Sequence, residues 1–282
     1  MNDEKIKKPY KEFIKNFTRR KIAVLSLLFI VVLILVGVFQ PITIDPDFAD
    51  YDNLLAAPSS AHWFGTDEYG RDLFNRIIVG TRLSLGVSLS SVFIGALIGT
   101  LLGLIAGFYG GKIESIIMRS CDVLFSFPGL LLAIGIVAII GPGLMNVVVA
   151  ISIYGIPSFT RIVRSSTLSL KKLLYIEASK SIGVGNFRIL FIHIFPGTLP
   201  TLIVTLTMRI GTAIISAASL SFLGFGASPT TPDWGAMLST GRDYIGLAPH
   251  MLFYPGLMIF LTVLAFNLLG DGLRDTLDPK LN

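Results

Sequence analysis

The chain has 282 residues, 52% of them hydrophobic and only 15% charged, with a formal net charge of +5. That balance excludes a soluble globular domain. A single cysteine, Cys121, excludes an intrachain disulfide, and His62, His193 and His250 are too scattered to form a metal-ligand spacing.

Residues 1–21 carry eight Lys or Arg against three acids and read as a polybasic cytoplasmic arm. Residues 22–39 form an unbroken, uncharged apolar run. A signal peptide would have a shorter apolar core, about 7–15 residues, with a small-residue cleavage site behind it. Gln40-Pro41 follows instead, so the run is expected to be a retained first span. Residues 41–82 are the longest polar segment between spans, with seven acids and three arginines. Their first half, holding Asp45, Pro46, Asp47, Asp50 and Asp52, reads as irregular. The second half, Ala61-His62-Trp63-Phe64-Gly65-Thr66-Asp67-Glu68-Tyr69-Gly70-Arg71-Asp72-Leu73, is turn-rich and leads into a short amphipathic helix expected over 73–79. Asp67 and Asp72 have the look of a catalytic carboxylate pair, but Arg71 and Arg76 stand beside them and favour a salt-bridged structural turn. This stretch resembles the signature before the second span of dipeptide and oligopeptide permeases, with Gly65-Thr66-Asp67 and Gly70-Arg71-Asp72 at that family's positions.

A second span is expected over 84–109. Gly95, Gly99, Gly103 and Gly107 recur every fourth residue and form one small-residue face. Such a face lets helix backbones approach closely in lipid. It suits packing within the bundle first and contact with a partner subunit second. Gly110-Gly111-Lys112 fails as a phosphate loop, because Ala106 and Ile113 stand where Gly and Ser or Thr are needed. Residues 113–122 read as a cytoplasmic connection. A third span is expected over 123–140, kinked at Pro128, and a fourth over 144–159 behind the Gly141-Pro142-Gly143 turn. Ser126-Phe127-Pro128 also resembles the family. Arg161, Arg164, Lys171 and Lys172 place the next loop inside.

Residues 175–200 differ from everything around them, mixing charge, three glycines and an apolar stripe. Glu177-Ala178-Ser179 continues one helix, and Gly183 and Gly185 break it. Asn186 is expected to cap a second helix, and Pro196 to stop it as the chain re-enters the membrane. The bland reading is an amphipathic connection between two spans. The residues Glu177-Ala178-Ser179, Gly183 and His193-Ile194-Phe195-Pro196 resemble the Glu-Ala-Ala loop of bacterial ABC-importer permeases. Ser179, His193 and Phe195 depart from its general pattern, while the spacing of Glu, Gly and Pro is kept. In that family the loop is the coupling helix that docks on an ATPase subunit.

A fifth span, over 201–225, contains Arg209 at mid-length. A charge there is expensive in lipid and should face the bundle interior or an aqueous path. It is either a pathway or gate residue or a helix-packing cation. Residues 226–249 form a shaped outer loop fixed by prolines and glycines. Within it, Pro232-Asp233-Trp234-Gly235 is again close to the permease pattern and is a candidate contact for a substrate-binding protein or an external gate; a plug that closes the bundle is the other reading, and both can hold together. A sixth span over 251–269 follows, with Asn267 near its inner end placed to bond across helices and, like Arg209, a candidate pathway or gate residue. Residues 265–275 with Leu277-Asp278-Pro279 resemble the family's C-terminal signature. With both termini inside, inner segments hold 18 basic residues and outer segments four, which supports six spans.

From about residue 61 onward the chain is identified as a member of the C-type permease subunits of dipeptide/oligopeptide ABC importers, a family that includes nickel permeases. The resemblance implies an all-α integral membrane protein of the type I ABC-importer permease fold, with six transmembrane helices and cytoplasmic termini. It implies residence in the bacterial inner (cytoplasmic) membrane. It divides the chain into 1–80, a permease domain over 81–275 with its coupling loop at 170–197, and a tail over 276–282. It further implies a second homologous permease subunit, two ABC ATPase subunits, an extracytoplasmic substrate-binding protein, and contact with membrane lipid. No nucleic acid is expected. The chain itself is expected to be non-catalytic, with no cofactor or metal of its own; ATP and Mg belong to the ATPases. Dipeptides or oligopeptides are the favoured cargo and a nickel chelate the alternative. A stand-alone secondary carrier would need ion-coupling residues near the midplane, and only Arg209 qualifies.

Overall fold

The computed structural model describes residues 9–39 and 45–277. The start of the basic arm, the Gln40-Pro41 step and the tail from Asp278 lie outside them. Among these residues the chain is helical, with only isolated bridges, Ala49 to Arg71 and Thr66 to Asp72, beyond the helices. α1 (Pro9–Thr18) leads into α2 (Lys21–Phe39). Then come α3 (Leu73–Tyr109), α4 (Gly111–Phe125), α5 (Gly129–Ile140), α6 (Leu144–Leu170), α7 (Leu174–Ser181) and α8 (Asn186–Arg188). A π-helical turn, Ile189–Ile194, joins α8 to α9 (Phe195–Phe222), and α10 (Trp234–Asp243) and α11 (His250–Leu277) complete the chain.

The short helix expected over 73–79 and the second span are one helix, α3, so the boundary drawn at residue 80 falls inside it. Asp72 caps it by accepting from Asn75 N at 2.9 Å. Gly80 does not break it; Pro232 O packs where a side chain would stand, 2.2 Å from an added Cβ. At 37 residues, α3 is about 55 Å long and outreaches a hydrocarbon core of about 30 Å.

Pro128 does more than kink the third span. It separates α4 from α5, and the two meet at 89°. The ring removes a backbone donor and drives the preceding residue out of the helical region. α5 alone has 12 residues, about 18 Å, too short to cross. Packing directions show that α4 and α5 together make the crossing. Gly95, Gly99, Gly103 and Gly107 of α3 meet Ser152, Ile156, Thr160 and Thr167 of α6 in that order, so α3 and α6 run parallel. The chain between them must therefore return across the membrane. At the other end, Arg20 pairs with Asp275 and Ala23 packs on Gly272, which brings the start of α2 beside the end of α11. Six crossings with α1 and the end of α11 on one side satisfy every pairing.

The glycine face thus packs within the chain. A Cβ at Gly99 would lie 2.7 Å from Ile156 O, and one at Gly103 2.7 Å from Thr160 O. The α3–α6 seam forms the main core with Val137, Val147, Phe159, Val163 and Leu220. The fourth span is longer than expected: α6 runs to Leu170, so Arg161 and Arg164 sit on a helix and pair with Asp122 and Glu114 of α4.

Candidate functional site

At the inner end of the bundle, α7 packs against the π turn. Ile176 is its one fully buried residue and pins it to the core. Lys171 donates to Phe108 O, and Lys171 and Lys180 sit over the Phe108 ring at 5.6 and 5.5 Å. α7 ends as its glycine demands. Gly183 has φ +80°, its N–H donates to Lys180 O at 3.0 Å, and Val184 N donates to Ser179 O at 3.0 Å. These are the paired bonds of a Schellman cap, whose left-handed residue is normally glycine.

Two expectations for the following turn are corrected. Asn186 does not cap the second helix; Gly185 holds the cap position and Asn186 is the first helical residue. Pro196 does not stop a helix. The chain stays helical from Asn186 to Phe222, and the wide π turn over Ile189–Ile194 sets the register in which Pro196 falls in the first turn of α9. A proline there lacks only an N–H that has little intrahelical work. The fifth span consequently begins at Phe195 rather than 201. The π turn buries Ile189, Leu190 and Ile194 against the core. His193 is half-buried within it, and its carbonyl accepts from Tyr175 Oη at 3.4 Å, which ties α7 to the turn.

What this framework presents outward is apolar. Leu174 is 82% exposed, Ile182 80% and Phe187 76%. Glu177, Ala178, Gly183 and Pro196 are exposed beside them, while Ser179 is half-buried and back-bonds to Tyr175 O. These apolar side chains stand beside the exposed basic residues Lys172, Lys180 and Arg188.

Arg209 lies at mid-length of α9, half-buried, and donates to Ser158 Oγ of α6. One turn away Tyr154 Oη and Ser216 Oγ are 2.7 Å apart. The partner Ser158, 51 residues distant, carries no local signal in the sequence. Asn267 packs its amide on Gly211 of α9, 3.1 Å from where a Cβ would stand.

The outer end is a locked cap. Pro232, Asp233, Trp234 and Gly235 are all buried. Asp233 caps α10 by accepting from Gly235 N and Ala236 N, and it also accepts from Ser84 Oγ at 2.8 Å. Trp234 Nε1 donates to Ile77 O at 3.1 Å. The plug reading of this loop is the one the geometry fits. Beside it, the Asp67–Arg71–Arg76 turn is salt-bridged as expected. Arg71 Nε lies 2.7 Å from Asp67 Oδ2, and Arg76 donates to Asp47, Pro46 O and Thr230 O. Asp72 belongs to a separate pair with His62, at 2.9 Å.

Glu68 borders that network with Oε2 buried and unpartnered. Burial holds its carboxyl above the usual carboxylate range, and neighbouring Asp67 adds to the effect against Arg71 and Arg76. The folded state therefore favours the protonated acid, and stability falls as pH rises from the unfolded toward the folded pKa. Glu68→Gln should stabilise the protein at neutral pH by on the order of 1 kcal/mol and so raise the melting midpoint, and the gain should shrink as pH falls through the raised folded pKa of Glu68. Parallel thermal-shift curves of the two proteins across pH check this; a constant offset would contradict it.

Comparison with known proteins follows the same lines. Residues 99–282 match the family described as "Binding-protein-dependent transport system inner membrane component". Residues 8–58 match the "N-terminal TM domain of oligopeptide transport permease C". The chain is similar to the glutathione transport system permease protein GsiD of Pectobacterium atrosepticum, 53% identical over 100% of this chain and 94% of that protein. It is equally similar to GsiD of Escherichia coli O157:H7, 53% over 99% and 93%. Its fold resembles a chain of the inward-facing MetNI methionine ABC transporter, with TM-score 0.58, 21% identity, and coverage of 72% of this chain and 96% of that one. A chain of an amino acid ABC transporter solved with histidines aligns with TM-score 0.52 and 20% identity, over 71% and 94%.

Proposed function

This chain belongs to the binding-protein-dependent inner-membrane transport components, as a non-catalytic permease subunit of an ABC importer, and from that premise we propose that it carries short peptides, glutathione first among them, across the cytoplasmic membrane. The observation that carries the reading is the exposed apolar surface of Leu174, Ile182 and Phe187 around Glu177 on a rigidly capped loop. That surface suits an ATPase subunit at the Glu177–Pro196 loop, with ATP and Mg bound on the ATPases. Two ATPases, a second homologous permease and an extracytoplasmic binding protein complete the machine. Closure of the ATPases on ATP moves the loop, the loop tilts α6 and α9, and the pathway between the two permeases opens outward. The relatives named for glutathione support a peptide cargo, since glutathione is a tripeptide. Among the described residues no group of three His, Cys, Asp or Glu is placed to hold a metal, and a nickel chelate, which would need none, is the alternative cargo.

Uptake of radiolabelled glutathione, a dipeptide and nickel by cells with and without this chain tests the assignment. Loss of glutathione or dipeptide uptake on deletion, restored by the gene, is the expected result. Unchanged uptake of both peptides with loss of nickel uptake would overturn it.

A further inference from the structure

The open faces of the membrane helices differ in chemistry. α2 exposes Leu25, Leu28 and Leu35, and α3 exposes Phe93, Leu97 and Leu101, all suited to lipid tails. α9 exposes Ile203 and Ile215 but also polar groups. Thr201, Thr205, Thr212, Ser216 and Ser219 fall within one stripe of its surface at helical spacing, and Thr201 and Thr212 are exposed. Arg209 stands on the edge of that stripe at its middle. Among the described residues no carboxylate pairs with this guanidinium; its bond is to Ser158 Oγ. Hollows follow the stripe along the helix. One of about 430 Å³ lies at the inner end, lined by Thr201, Thr205 and Met208. A narrow cleft at mid-height holds Tyr154, Arg209 and Thr212, and an outer hollow of about 390 Å³ is mostly apolar, lined by Ile215, Phe222, Leu223 and Leu238 with Ser219 at its border.

A membrane helix gains nothing by showing hydroxyls and a guanidinium to hydrocarbon. The hydroxyls back-bond to their own helix, as Thr205 does to Thr201 O and Ser219 to Ile215 O, and each keeps accepting capacity for water. Arg209 at mid-height, with Arg274 lining the inner hollow, sets the sign of what the stripe attracts. We propose that this face of α9 is the wall this subunit gives to the substrate path, and that Arg209 reads a carboxylate on the passing substrate. The inference rests on the importer reading and adds a substrate class, peptides bearing a free carboxylate, together with the residue that selects them. Arg209 exchanges its Ser158 bond for a bidentate carboxylate contact as substrate passes.

The test uses the complete transporter in proteoliposomes with ATP, with dialanine and its C-terminal carboxamide, which carries no other carboxylate, as probes. The native protein should prefer the free acid, and Arg209→Gln should reduce the acid-to-amide ratio about tenfold or more. Arg209→Lys should retain part of it. Comparing ratios between variants removes the discrimination made by the binding protein. A second measurement leaves Arg209 untouched: in a Cys121→Ala background, Thr212→Cys should react with a charged, membrane-impermeant thiol reagent while Leu97→Cys should not. An unchanged ratio, or equal silence of both cysteines, would overturn the inference. Absence of any ATP-dependent uptake by the native complex would instead strike the importer reading itself.

Discussion

Gly183→Pro should leave the protein inserted and folded in its spans yet abolish uptake while ATP hydrolysis continues. The residue sits at φ +80° and donates to Lys180 O at 3.0 Å. Proline is fixed near −65° and has no N–H to give. The Schellman cap closing α7 is therefore lost twice over, at about 3 kcal/mol. That shift corresponds to roughly a hundredfold drop in the population of loops holding their docking shape. The damage is local, because a Cβ at Gly183 meets no atom within 4 Å. Gly183→Asn, which tolerates the left-handed region, should keep most of the uptake. Uptake and ATP hydrolysis measured on the same proteoliposomes check both variants; normal uptake by the proline variant would remove the loop from the coupling path.

The second large effect is at the opposite end of the molecule. Asp67 is 3% exposed and accepts from Tyr69 N, Arg71 N and Arg71 Nε, all within 2.9 Å, with Arg76 Nε at 3.5 Å. Replacing it with alanine strands two buried guanidiniums, Arg71 at 6% and Arg76 at 2% exposure. Asp47, mostly exposed, and the half-satisfied Glu68 cannot balance both. Loss of one partner from a buried charge network costs about 3–5 kcal/mol. Asp67→Ala should lower the melting midpoint of the purified protein and open residues 45–72 to proteolysis, with Asp67→Asn milder because it keeps an acceptor for the backbone donors. An unchanged melting midpoint would show that the outer cap does not rest on this network.

Much of this architecture is legible in the sequence because bilayer physics is strict. The apolar runs, the basic asymmetry and the four-residue glycine spacing leave one topology, and the α3–α6 seam follows that spacing residue by residue. The helix–hinge–helix loop is legible too, since two glycines within three residues have few other uses. What stays hidden is what tertiary contact decides. Pro128 separates helices that meet at 89°, whereas Pro196 is absorbed beside a π turn. Both read alike in sequence, and only the first lies where the chain must turn between membrane surface and interior. Trp234 sits in an outer loop rich in turn residues and so reads as a surface feature. Its burial depends on Gly80 and Ile77, over 150 residues away. The stripe of hydroxyls on α9 is visible as spacing, but only the packing of α6 and α11 shows which side of the helix is left open.

The central claim is that the capped loop between α7 and the π turn docks on an ATP-hydrolysing partner. Photo-crosslinkers placed at Ile182 and Phe187 in the native cell, with products identified by mass, test it most directly. The account predicts that both positions capture an ATP-binding subunit, while a crosslinker at Ile139, 86% exposed at the far end of α5, captures none. Capture of lipid or of this chain alone at Ile182 and Phe187, alongside uptake that persists without ATP, would contradict it.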